Sequence, residues 1–300
     1  MIDIFSLKLN PMICCPLKLI LFGEHSVLEG GSCLSICIKK YCEIIELKKS
    51  FFVKIIDQNN NFYYISIESA KPIEINNITE FEYSIIKVNS YFGCGLGTSA
   101  SISLLLAYIK LSNNQINRKI NIIDTHLILK QALAYEKFFH YKSSGVDVYS
   151  CFYGGLISFQ NDKIDKLDSN HIEKYKILLY DSKISKKTSD IVQREMKNKK
   201  FNIEKLAEIS IKANKLIKNG FELKEMYKLI REAQDTLEDL GLVPLEIQKE
   251  VRRLRSKGIE SKMSGAGFGG HLFTFVPRDV DIDGWFEIEI ERCGFRFNID

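Results

Sequence analysis

Apolar and polar positions change their rhythm once along the chain. Up to about residue 92 the pattern is strand-like, in "LKLILFG", "CLSICIKKYCEIIEL", "FFVKIID" and "FYYISIES", with the turn residues Asp57 to Asn61 marking a hairpin. "YSIIKVNS" predicts one more strand, which delivers the chain into the glycine-rich "GCGLGTSAS" at 93–101. Helical spacing follows in "SASISLLLAYIKL" and "DTHLILKQALAYEKFFH". "GGLISFQ" and "YKILLYDS" are predicted strands. "KTSDIVQREMK", "NIEKLAEISIKANKLIKNG" and "ELKEMYKLIREAQDTLEDLG" are predicted helices, and "GGHLFTFV" alternates as a strand. The second half is therefore α+β, and "QNDKIDKLDSNHIEKY", 160–175, is the expected junction between two packed units, 1–160 and 161–300.

Composition narrows the class. The 300 residues are 45% hydrophobic, enough for one large core or two smaller ones. A net charge of +4 with both signs scattered argues against a nucleic-acid partner, and "KNKK" and "RRLRSK" are expected to be solvated helix faces. The eight cysteines form no CxxC pair and several sit in apolar runs, so they are expected to be reduced core residues of a cytoplasmic protein. Asp3, Lys8 and Lys18 interrupt the hydrophobic opening, which predicts an N-terminal strand rather than a signal segment. No stretch reaches the uninterrupted apolar length of a membrane span.

Three stretches carry candidate chemistry. Gly93, Gly95 and Gly97, with Leu96 between them, stand directly before Thr98, Ser99 and Ala100 at a helix start. There, bare backbone N–H groups and the helix dipole suit a large anion, although an ordinary glycine turn has the same pattern. "PLKLILFGEHSVLEG" sets Lys18 on an apolar strand and ends it with Glu24 and His25. "SKMSGAGFGGHLFTF" is a second glycine-rich turn, with Ser264, Gly265, Ala266, Gly267 and Gly269, before a strand. Taken singly, these residues also fit an edge-strand lysine, a turn histidine and a plain loop.

In chain order, the three stretches resemble the motifs of the kinase superfamily that contains galactokinase, homoserine kinase, mevalonate kinase and phosphomevalonate kinase. The earliest in the chain, "KLILFGEHSVLEG", is most similar to the first motif of the mevalonate-phosphorylating branch. Ser26, Val27 and Leu28 stand where galactokinases carry a sugar-reading Thr-Asp-Tyr type sequence. "EKFFHYKSSGVDVYSCFYGGLISF" is similar to the family segment with a metal-binding glutamate and a catalytic aspartate, here Glu136 and Asp147. "DSKISKKTSDIV" and "REAQDTLEDLGLVPLEI" extend the likeness over most of residues 16–275.

The resemblance implies a two-domain α+β fold. Its N-terminal domain is β-rich and its C-terminal domain ferredoxin-like, and the active site lies in the cleft between them. It implies an ATP- and Mg2+-dependent transfer to the primary hydroxyl of mevalonate, with no nucleic-acid or membrane partner, and leaves a homodimer open. Asp147 would be the base and Lys18 its charge partner, Ser99 and Glu136 would hold the metal, and residues 93–100 would cradle the phosphates. Glu24 and His25 would line the acceptor pocket. Lys186 and Thr188, at a helix start, would take the substrate carboxylate, with Lys186 where the family usually has arginine. Ser264, Gly265, Ala266, Gly267 and Gly269 would close the site wall against the phosphate loop. Glu136 falls on one helical row with Leu129, Ala132, Leu133 and His140, where an unpaired charge is costly and either a metal or a buried ion pair would meet it. Asp147 would sit on a turn.

The sequence departs from the family at Leu17, Tyr141 and Ser143, where glycine, glycine and proline are usual, and it lacks a proline near Tyr91 and Phe92. If a positive φ were required at 17 or 141, the backbone would be strained or reshaped. Other small-alcohol kinases of the superfamily, among them phosphomevalonate or homoserine kinase, and an inactive metabolite-binding relative are the alternatives. Joint retention of Lys18, Ser99, Glu136 and Asp147 argues against the last.

Overall fold

A computed structural model of the chain describes residues 13–73, 82–115, 124–140, 143–184 and 200–297. Among the described residues the first strands are β1 (Cys14–Phe22), β2 (Cys33–Glu46), β3 (Phe52–Ile56), β4 (Phe62–Ser66), β5 (Pro72–Ile73) and β6 (Ser84–Val88). Helices α1 (Thr98–Gln115), α2 (Thr125–Phe139) and α3 (Val146–Tyr153) follow, then strands β7 (Leu156–Gln160) and β8 (Lys163–Leu167). These strands form an eight-stranded sheet in the order β5-β4-β3-β6-β2-β7-β8, with β1 on β2. All neighbours are antiparallel except β3 and β6.

Local chemistry explains the turns. In the β3–β4 hairpin the Asp57 carboxylate accepts from the Asn59 and Asn61 amides, each at 2.9 Å, and from Asn61 Nδ2 at 3.0 Å. The Asp124 carboxylate caps α2 by accepting from His126 N at 2.8 Å. β1 is buried at all nine positions and packs against α1, α3 and the later helix α4 (Lys200–Asn219). α1 is enclosed by its neighbours from Ala100 to Ile109, with Ile102, Leu104, Leu105, Leu106, Ala107 and Ile109 out of solvent alongside the buried hydroxyls of Ser101 and Ser103.

Residues 160–175 hold β8, which pairs with β7, so part of the expected junction belongs to the first sheet. Beyond it, β9 (Lys176–Asp181), β10 (Lys262–Met263), β11 (His271–Val276) and β12 (Phe286–Ile288) form a second, fully antiparallel sheet ordered β10-β11-β9-β12. In chain order this is 2-3-1-4, the ferredoxin-like arrangement. The link from β9 to β10 carries α4, α5 (Leu223–Asp239) and α6 (Leu245–Arg255), and the link from β11 to β12 has no helix. The C-terminal stretch returns to the first sheet through isolated bridges of Ile290 with Ile38 and Arg296 with Cys14. The helix expected over "KTSDIVQREMK" lies outside the described residues.

Asp147 is not on a turn: it stands in the first turn of α3. On α2 the buried row is Ile128, Ala132, Tyr135 and Glu136, while Leu129 and Leu133 are half-buried. All eight cysteines are free thiols, and only Cys293 is exposed. Among the described residues, no helix is long and apolar enough to cross a membrane.

Candidate active site

The site is built on β1. Its central residue, Lys18, is 2% exposed, and its Nζ lies 2.9 Å from Asp147 Oδ2, with Asp147 24% exposed. Burial alone would depress the Lys18 pKa, but the charge and hydrogen bond of Asp147 outweigh it and hold the ammonium above its ordinary value. α3 aims the aspartate. It starts after Gly145, at φ 78°, where Ser143 Oγ and Ser144 Oγ accept from the Gly145 and Val146 amides at 3.1 and 3.4 Å. Ser143 thus forms the turn in place of the usual proline. Leu17 is fully buried strand with no positive φ, so the departure there carries no strain. Tyr141 lies outside the described residues.

The phosphate-loop candidate lies against the same lysine. Lys18 N donates to Leu96 O at 2.9 Å. Gly93, Gly95 and Gly97 have φ of 77°, 83° and 70°, the alternation that turns successive N–H groups to one side as an anion nest. A Cβ at Gly97 would stand 2.6 Å from Lys18 Cε, so the close approach of loop and lysine requires glycine. Thr98 and Ala100 are buried at the start of α1, and Ser99 between them is half-buried.

Ser99 Oγ donates to Glu136 Oε1 at 3.2 Å and stands 3.0 Å from His140 Nε2, while Ser103 Oγ donates to Glu136 Oε2 at 3.3 Å. Glu136 is 1% exposed, and burial, with the nearby Asp147 charge, pushes its pKa up to about 8. A buried carboxylate with hydroxyl donors is a chemically suitable ligand set for a hard divalent cation. Among the described residues there is no group of three or more His, Cys, Asp or Glu side chains placed to hold a metal. Any cation here would therefore depend on Ser99 and on external oxygens.

The second glycine-rich loop reaches the site at its ends. Ser264 Oγ accepts from Ile20 N at 3.1 Å and donates to Ile20 O at 3.0 Å, which fastens the second sheet to β1. At the far end His271 Nδ1 lies 2.9 Å from Cys94 O in the phosphate loop. Between them, Gly265 is buried and Ala266 is exposed, while a Cβ at Gly267 would meet Leu242 and one at Gly269 would meet Ile184.

Glu24 and His25 are both buried. His25 has φ 61°, a conformation that costs a non-glycine residue energy and occurs preferentially at functional loops. Glu24 forms an ion pair with Lys262, itself fully buried between the rings of Phe22 and Phe273. Burial lowers the Lys262 pKa, and Glu24 opposes that shift. The sequence places His140 on the helical row of Glu136 but gives no sign of its contact with Ser99, 41 positions away, and Lys262, in the polar stretch "ESKMSG", carries no local signal of its pairing with Glu24. Lys186 and Thr188 lie outside the described residues.

The family described as GHMP kinases C terminal matches residues 213–283. The chain is similar to the mevalonate kinase of Methanocaldococcus jannaschii, 25% identical over 296 residues, covering 89% of this chain and 92% of that protein. It is also similar to the mevalonate kinase of Saccharolobus solfataricus, 28% identical over 298 residues and covering 89% and 90%. The crystal structure of the Methanococcus jannaschii mevalonate kinase superposes with a TM-score of 0.69 at 22% identity, covering 94% of this chain and 98% of that one. This is the fold of the GHMP kinases. In this chain the first glycine-rich loop and the Ser264 end of the second both bond to β1, the strand that carries Lys18.

Proposed function

We propose that the chain is an ATP-dependent mevalonate kinase, which phosphorylates the primary hydroxyl of mevalonate to 5-phosphomevalonate. The single observation that carries the chemistry is the 2.9 Å ion pair of Lys18 with Asp147 beside a loop of alternating positive-φ glycines. The choice of acceptor follows the relatives, which are named mevalonate kinases.

In this reading the backbone N–H groups of residues 93–98 hold the ATP phosphates, with the N-terminal end of α1 adding its dipole. Asp147 accepts the proton of the acceptor hydroxyl, while Lys18 stabilises the alkoxide as it forms. The acceptor oxygen then bonds to the γ-phosphorus and the bridging bond to ADP breaks, so the product is a phosphomonoester and ADP leaves with the former bridging oxygen. Ser99 and Glu136 would hold Mg2+, which supplies charge neutralisation across the phosphate oxygens. Residues 1–160 supply the nucleotide and catalytic groups. Residues 161–300 supply the substrate wall, where Lys186 and Thr188 take the carboxylate. The free thiols support a cytoplasmic, reducing setting.

The experiment is 31P NMR of the product after incubation with ATP, Mg2+ and mevalonate. A new phosphomonoester signal coupled to the terminal methylene protons supports the reading, and ADP with no such ester contradicts it.

A further inference from the structure

Three atoms in the site form a nearly equilateral triangle. Ser99 Oγ to Glu136 Oε1 is 3.2 Å, Ser99 Oγ to His140 Nε2 is 3.0 Å, and His140 Nε2 to Glu136 Oε1 is 3.3 Å. Adjacent ligands of an octahedral dication with bonds of about 2.1 Å stand about 3.0 Å apart, so the triangle has the dimensions of one coordination face. The three residues are held from different directions. Ser99 lies one residue into α1, Glu136 is locked in α2 with Ser103 on its other oxygen, and His140 is the residue that ends α2. Glu136 is 1% exposed and His140 39%, so the face runs from the core to solvent and an ion could enter from the His140 side.

We propose that Ser99, Glu136 and His140 together form a three-ligand face for a divalent cation, and that the imidazole biases this site toward first-row transition dications over Mg2+. The proposal rests on the kinase reading only in assigning the remaining coordination positions to phosphate oxygens and water. An imidazole nitrogen is a softer donor than the oxygens that Mg2+ prefers and gains affinity along the first transition row. Ligation through Nε2 would leave the ring proton on Nδ1.

The test uses the full chain, stripped of metal and free of nucleotide, with MnCl2 as the probe. Pulsed EPR of bound Mn2+ is expected to show coupling to an imidazole nitrogen in the parent protein and none in His140→Gln or His140→Asn. The Mn2+ dissociation constant should rise about tenfold in both variants, while that for Mg2+ changes much less. Circular dichroism on the same samples reports that the variants fold. Bound Mn2+ without nitrogen coupling, unchanged Mn2+ affinity in both variants, or no Mn2+ binding by the parent would each overturn the proposal. Mevalonate-dependent ADP release, assayed separately, judges the kinase reading: nitrogen coupling without such release would leave the cation face standing and remove the assigned reaction.

Discussion

Lys18 and Asp147 stand 2.9 Å apart although 129 positions separate them, one in the middle of a fully buried strand and the other in the first turn of a short helix. A lysine at 2% exposure is tolerated only with a partner, and that partner, Asp147, is itself 24% exposed. The pair stabilises the buried charge in the resting protein, and in the proposed reaction both groups would act during transfer.

Asp147→Asn and Lys18→Met should each lower kcat by about 10² or more while nucleotide affinity stays close to that of the parent, because both groups act on the transition state. The double variant should be little worse than either single one, since the residues act as a unit. Steady-state kinetics with a separate nucleotide-binding titration check this, and a parental kcat in Asp147→Asn would remove it from the mechanism.

Several of the elements that carry the site are legible in the sequence. The continuous apolar run of β1 with one lysine, the Asp57 to Asn61 hairpin and the switch to helical spacing at Thr98 are local signals, and each formed as expected. α3 was not legible. Its eight residues "VDVYSCFY" are β-branched or aromatic at five positions, poor helix formers alone, and they become helical where α3 packs against α1, α2 and the first sheet. Lys262 was missed for a related reason: its role depends on Glu24, 238 positions away, and on the two sheets meeting. Long-range pairing leaves no periodic trace in a single sequence.

The buried pair of Glu24 and Lys262 should behave asymmetrically. Lys262→Met alone leaves an uncompensated carboxylate and should destabilise by about 3–5 kcal/mol, whereas Lys262→Met with Glu24→Gln should recover most of that loss. Denaturant unfolding of the four members of the cycle measures it. Additive losses would show that the two side chains do not support each other.

Glu136 predicts a pH trend. Its folded pKa, about 8 against an ordinary 4.5, means the folded protein retains a proton that the unfolded chain releases. The stability it contributes is therefore complete below about pH 4.5 and is lost as pH rises toward 8, by an amount on the order of a few kcal/mol. With chelator present, the melting temperature of the parent relative to Glu136→Gln should fall across that window. Parallel curves would show that Glu136 is ionised in the metal-free protein throughout.

Ser264 holds both backbone groups of Ile20. Ser264→Ala should leave a buried N–H and C=O without these partners and cost about 1–3 kcal/mol. It should also raise KM more than it lowers kcat, because it loosens the second sheet against β1 without touching the reacting atoms. Unfolding and steady-state kinetics on one preparation give both values, and an unchanged unfolding midpoint would deny the fastening role.

The most direct measurement is coupled ADP release by the parent chain, with ATP and Mg2+, against mevalonate, phosphomevalonate, homoserine and galactose. Mevalonate should give by far the highest kcat/KM, and Asp147→Asn should abolish that turnover. Preference for any of the other three acceptors, or ADP release indifferent to all four, would contradict the account.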